Sequence, residues 1–227
     1  MSKIAKPLHR RMWSKLLFWR YKNFYQHRYD HLVLETVLGT PLLILPQVFN
    51  PALLRTGEFL AKQLNAQRIR SNESVLDMGT GSGVGAVFAT RFAQRVVAVD
   101  INPNAVRCAQ LNMLMHRLEN KMEVRQGDLF SSVCEQKFDW VLFNPPFYRG
   151  QPKNELDHAW RGPDVLERFA AQLRAHLNPG GHALLVFSTD NDIPEFLKLF
   201  EANGFSHHIV AQRDFVNEVI TVYQLSP

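Results

Sequence analysis

The sequence predicts an α/β fold, a mostly parallel sheet with helices on both faces and an antiparallel strand at its C-terminal end. From about residue 74 onward, short apolar runs alternate with amphipathic stretches, the pattern of βαβ units. The first of these runs ends in a glycine-rich segment that leads into a helix, the usual junction at the ligand-binding edge of an open sheet. The last two runs follow each other with no helix between them, so they read as an antiparallel pair at one sheet edge. At 227 residues, the chain has room for one large domain, or one domain with an appendage.

Residues 1–44 read as a basic aromatic arm, and residues 45–227 as the domain. The arm's first 30 residues hold eight basic side chains against the single acid Asp30, whereas the remainder has 18 basic and 20 acidic residues. The whole net charge of +5 therefore belongs to the arm. Interleaved with the basic residues are Trp13, Phe18, Trp19, Tyr21, Phe24, Tyr25 and Tyr29, so the arm offers charge and stacking surface together. It suits docking to an acidic partner, and by composition it also matches a mitochondrial targeting peptide. Leu32 to Val48 is apolar but carries two prolines, and Ala52 to Leu64 reads as helical.

The predicted strands are Ser74 to Met78, Val96 to Asp100, Lys121 to Gln126, Phe138 to Phe143 and Ala183 to Ser188. Between the second and third, Asn102 caps a helix whose first turn holds Pro103, with Val106, Ala109, Met113 and Leu114 on one face. A second stripe, Val165, Phe169, Leu173 and Leu177, ends at Asn178-Pro179-Gly180-Gly181. A third helix opens with Asp192 and Glu195 at capping-box spacing and stops at Gly204. Ile209 to Gln212 and Val219 to Leu225 are the final strands. Phe88, Phe92 and Phe169 read as core, and His207 and His208 as surface.

Composition narrows the function classes. With 46% hydrophobic and 21% charged residues, the chain can bury a core and is not a disordered or disulfide-stapled type. Its longest apolar run is broken by Pro41 and Pro46, short of a membrane span. Cys108 and Cys134 lack zinc-type spacing, so no metal is expected, and a reduced, cytoplasmic setting fits.

The run Asp77-Met78-Gly79-Thr80-Gly81-Ser82-Gly83-Val84-Gly85 follows a buried strand, where absent side chains let the backbone approach a ligand. Gly81 to Ala86 also fits a dinucleotide fingerprint. Asp100 closes the second strand, 21 positions after Gly79, where a carboxylate can accept both hydroxyls of an adenosine ribose. Asp77 has two readings, one beside the ligand's charged end and one fixing the loop. After the third strand, Asp128 can accept from an adenine amino group with Leu129 against the ring, or serve only as a turn residue.

Phe138 to Phe143 is followed by Asn144-Pro145-Pro146-Phe147. Consecutive prolines donate no backbone hydrogen bond and fix their own φ, so carbonyls there are rigid acceptors. An NH₂ group fits such a site: Asn144 accepts one N–H, the Pro145 carbonyl the other, and Phe147 flanks a planar amide or base. So held, the nitrogen attacks an electrophilic methyl group, and positioning does most of the catalytic task.

These motifs resemble those of class I S-adenosylmethionine-dependent methyltransferases, in the branch marked by [DNS]PP[YFW], and most closely the HemK family of protein glutamine methyltransferases. The likeness is carried by Asp77 to Gly83, Asp100-Ile101-Asn102-Pro103, Asn144 to Phe147, Ala159 to Gly162 and Asn178 to Gly181. Val48 to Pro51 with Thr56 is similar to the family's segment that helps close the active site. The resemblance implies a Rossmann-like fold and S-adenosyl-L-methionine as cofactor, held by Asp77, Gly79, Thr80, Gly81, Gly83, Asp100, Ile101, Asp128, Leu129 and Asn144. It assigns catalysis to Asn144, Pro145, Pro146 and Phe147. The acceptor it implies is a glutamine side chain of a protein, for instance one of translation. The same chemistry on an exocyclic amine of adenine or guanine in RNA or DNA, or on a small-molecule amine, is the alternative. A nicotinamide-dependent oxidoreductase would leave Asn144 to Phe147 without a role.

Overall fold

The computed structural model describes residues 30–146, 150–151, 157, 161–189, 192–215 and 217–227. Strands β3 (Ser74–Met78), β4 (Arg95–Asp100), β5 (Met122–Gln126), β6 (Phe138–Phe143), β7 (Leu177–Ser188), β8 (Ser206–Asp214) and β9 (Val219–Ser226) form one sheet, ordered β5-β4-β3-β6-β7-β9-β8. The first five run parallel, and β9 lies antiparallel to both β7 and β8. The chain leaves β3 toward β4 and β5 on one side and continues at β6 and β7 on the other. That reversal opens a crevice at the carboxyl end of β3.

Alternation along each strand sends successive side chains to opposite faces. Val75, Ala98, Leu142 and Val186 meet α1 (Arg55–Ala61), α2 (Val84–Ala89) and α3 (Pro103–Met115), while Leu76, Val99, Phe143 and Phe187 meet α4 (Val165–Leu173) and α5 (Ile193–Ala202). Strands buried on both faces explain why the sequence shows continuous apolar runs. Asn102 caps α3 by accepting from Asn104 N, and Asp192 caps α5 by accepting from Glu195 N, as the spacing predicts.

Several elements depart from expectation. Leu32 to Val48 contains a hairpin, β1 (Val33–Val37) and β2 (Thr40–Ile44), turning at Leu38 and Gly39, both with positive φ. The sequence reading assigns these residues to the arm, yet Val37, Leu42 and Ile44 are buried in the same cluster as α3 and the sheet. Asn112, wholly buried on α3, accepts from Leu43 N at 2.8 Å and donates to Leu43 O at 2.7 Å and Ser82 O at 2.8 Å. The helix expected over residues 52–64 is confined to Arg55–Ala61. Leu114, expected on the buried face of α3, is 52% exposed. Leu177 to Gly181 belongs to β7, not to a helix end: α4 stops at Leu173, a 3-10 turn spans Arg174–His176, and Leu177 pairs with Phe138. Phe88 and Phe169 are core as expected, whereas Phe92 is only partly buried.

Candidate active site

A cavity of about 230 Å³ lies at the carboxyl ends of β3, β4 and β6. Its floor is the loop from β3 to α2. Gly81 turns with φ +56°, a conformation that costs most side chains dearly, and its N–H donates to Asp100 Oδ2 at 2.8 Å. Thr80 N donates to Val99 O and Gly127 N to Asp100 O, both at 3.0 Å, so the ends of β3, β4 and β5 are laced together.

Asp77 is buried beneath this loop, where its Oδ2 accepts from Thr80 Oγ1 at 2.6 Å and Ala86 N at 2.8 Å. Burial pushes its carboxyl up to about 6, opposed by those two hydrogen bonds and assisted by the charge of Asp100. Asp77 fixes the loop through these bonds and also lines the cavity, so both of its readings stand. Asp100 itself stands on the cavity wall, its Oδ1 accepting from Asn102 N at 2.9 Å. Gly79, Thr80, Ile101 and Leu129 also line the cavity, with Ile101 41% exposed at its rim. Gly83 does not line it. A Cβ there would stand 3.2 Å from Ala109, so this position serves the packing of α2 on α3.

At the opposite end, Asp128 faces a partner that the sequence reading does not anticipate. Arg168 on α4 donates from Nη1 to Asp128 Oδ2 at 2.6 Å and from Nη2 to Oδ1 at 3.3 Å, while its Nε donates to Asp164 Oδ1 at 3.0 Å. The hydrogen bonds it donates to these carboxylates make the guanidinium more basic than usual, that to Asp128 foremost. Arg168 is 40 residues from Asp128 in sequence. Its spacing of four from Asp164 at the start of a helical stripe is the one signal that could have marked it.

Asn144 continues from β6 into the cavity wall. Its Oδ1 is buried and has no hydrogen-bond partner among the described residues. Ser82 Oγ, on the glycine-loop side of the cavity, is a second such atom. Buried polar atoms are nearly always paired, so two orphans lining one cavity point to a polar ligand. Pro146 also lines the wall and Pro145 is buried behind it, while Phe147, Ala159 and Trp160 lie outside the described residues, as does the arm to residue 29. The cavity is roofed by Phe49, Gly57 and Leu60. Asn50 fixes that roof from within: its Oδ1 accepts from Ala52 N and its Nδ2 donates to Glu35, both at 3.0 Å.

Comparison with known proteins agrees with this architecture. Residues 40–216 match the family described as methyltransferase small domain. A release factor glutamine methyltransferase of Koribacter versatilis is 39% identical over 190 residues, which cover 70% of this chain and 67% of that one. A ribosomal RNA small subunit methyltransferase C of Haemophilus influenzae is 32% identical over 179 residues, 78% of this chain; the chain spans about half, 49%, of that protein. Among solved structures, a Thermus thermophilus 16S rRNA N2 G1207 methyltransferase in complex with AdoMet and guanosine superposes with a TM-score of 0.67 at 23% identity, covering 86% of this chain and 49% of that one. The chain thus belongs to the methyltransferase small domain family and is an S-adenosylmethionine-dependent methyltransferase of the class I fold, related to N5-glutamine and ribosomal RNA methyltransferases.

Proposed function

We propose that the chain methylates a planar NH₂ group, and that its acceptor is the exocyclic amine of a base in RNA. The observation that carries the amine reading is the buried Oδ1 of Asn144 on the cavity wall, without a hydrogen-bond partner among the described residues. An acceptor oxygen left unpaired in a desolvated site costs free energy that an N–H donor recovers. The RNA reading draws support from the ribosomal RNA relative and from the eight basic and seven aromatic residues before residue 31, which suit phosphate neutralisation and base stacking. A HemK-like action on a protein glutamine is the second reading, favoured by the 39% identity to a release factor glutamine methyltransferase.

S-adenosylmethionine fits the lining, and when bound it supplies a methyl group made electrophilic by a sulfonium. In this reading Asp100 accepts from the ribose hydroxyls, and Asp128 accepts from the adenine amine, with Leu129 and Ile101 flanking the ring. The backbone of Gly79, Thr80 and Gly81, on the loop that Asp77 fixes, would hold the cofactor's amino-acid end. Asn144 Oδ1 and the Pro145 carbonyl accept the two N–H groups of the acceptor, with Pro146 restricting its plane. Two such acceptors would fix the plane and direction of the acceptor nitrogen. No side chain takes the proton beforehand: the nitrogen becomes acidic as it is alkylated, and its proton then passes to water.

Transfer of a labelled methyl group into cell extract, followed by separate nuclease and protease digestion, tests the acceptor. Label released by nuclease is the expected result. Label released by protease alone overturns the RNA reading in favour of glutamine.

A further inference from the structure

Arg168 has no place in the chemistry above, yet it stands on the cavity wall with three donors committed to two carboxylates. An exposed ion pair by itself contributes little. This one is different in kind, because its two hydrogen bonds to Asp128 are bidentate and its third bond anchors the guanidinium to Asp164. Bidentate geometry fixes the plane of the carboxylate as well as its position.

The consequence falls on Asp128. A carboxylate has about four lone-pair sites, and a freely turning one offers them in no fixed direction. Arg168 occupies one site on each oxygen, leaving the remaining sites with a defined direction beside Leu129 and Gly127, which line the same end of the cavity.

We infer that Arg168 is a positioning residue: by locking the Asp128 carboxylate, it makes this end of the cavity select a 6-aminopurine over a 6-oxopurine. This rests on the reading that Asp128 accepts from the adenine amine. A 6-amino group donates to the locked carboxylate, whereas a 6-oxo group presents an acceptor to an acceptor and gains no hydrogen bond from it. With Arg168 gone, Asp128 turns freely and the penalty against the oxo group is relieved by rotation, while the reward for the amine falls.

The experiment is calorimetric titration of the full chain with S-adenosylhomocysteine and S-inosylhomocysteine, for the wild type, R168Q, R168K and D164N. The wild type is expected to prefer the adenosyl compound by about tenfold or more. R168Q should lose most of that preference, through weaker adenosyl binding, with inosyl affinity changed less than about twofold. R168K, which keeps the charge without the fork, should restore only part of it, and D164N should shift it in the same direction by less. An equal loss for both compounds in R168Q, or an undiminished ratio, overturns the inference and leaves Asp128 its adenine contact. A wild type with no preference overturns the Asp128 reading itself.

Discussion

Asp77 and Gly85 are fitted to one another: a Cβ at position 85 would stand 2.5 Å from Asp77 Oδ1, closer than such atoms approach. The bare backbone of α2 is what lets a carboxylate lie under the helix's first turn and receive the Ala86 N–H. The glycine loop above it is thus shaped partly by a buried acid, and that acid carries a charge the interior disfavours.

This makes stability depend on pH in a definite direction. With its folded carboxyl raised from 3.8 to about 6, Asp77 holds its proton more tightly in the folded chain than in the unfolded one. The contribution is fully present below the unfolded value and is lost as pH rises toward 6, amounting to about 3 kcal/mol by neutral pH. Asp77→Asn should remove this slope, so the difference in unfolding free energy between variant and wild type should move in favour of the variant between pH 4 and pH 6. Chemical denaturation at several pH values measures it.

Asn144→Ala should lower kcat by about a hundredfold or more while leaving S-adenosylmethionine affinity within about threefold. Single-turnover kinetics with parallel calorimetry separates the two. Retained turnover would remove the amine-orienting role from its side chain.

Asp100→Ala should weaken cofactor binding by about tenfold or more, because the acceptor for the ribose is lost together with the anchor of Gly81 N. Titration with S-adenosylhomocysteine reads this directly. An unchanged affinity would exclude the ribose contact.

Asn112→Ala should cost about 2 to 4 kcal/mol, since it strips partners from Leu43 N, Leu43 O and Ser82 O in a buried site. Urea unfolding of the purified variant provides the number. A cost below about 1 kcal/mol would mean that water takes over these bonds.

What could be read from the sequence was local. Ser74 to Met78, Phe138 to Phe143 and the cap at Asn102 depend on neighbours a few residues away, and the structure has each where the pattern puts it. Leu177 continued the apolar stripe of α4 in register, and only its pairing with Phe138 across the sheet makes it a strand residue. The β1–β2 turn was hidden because Leu38, not asparagine or aspartate, precedes Gly39 in the positive-φ pair. In the site, Asp100 and Asn144 follow from strand ends. Arg168 does not, because a helix 40 residues downstream delivers it. Ser82 Oγ is not legible either, for a related reason: its lack of a partner among the described residues is a property of packing.

Asn112 grips Leu43 on the hairpin and the Ser82 carbonyl on the glycine loop with one side-chain amide. Opening of β2 therefore releases the loop that a bound cofactor would hold closed, and mass action couples the two events. A ligand at a hundred times its Kd adds about 2.7 kcal/mol to any opening that abolishes its binding. Solvent exchange of the Leu43 amide should slow accordingly when S-adenosylhomocysteine is present, reporting cofactor occupancy from an element that does not line the cavity.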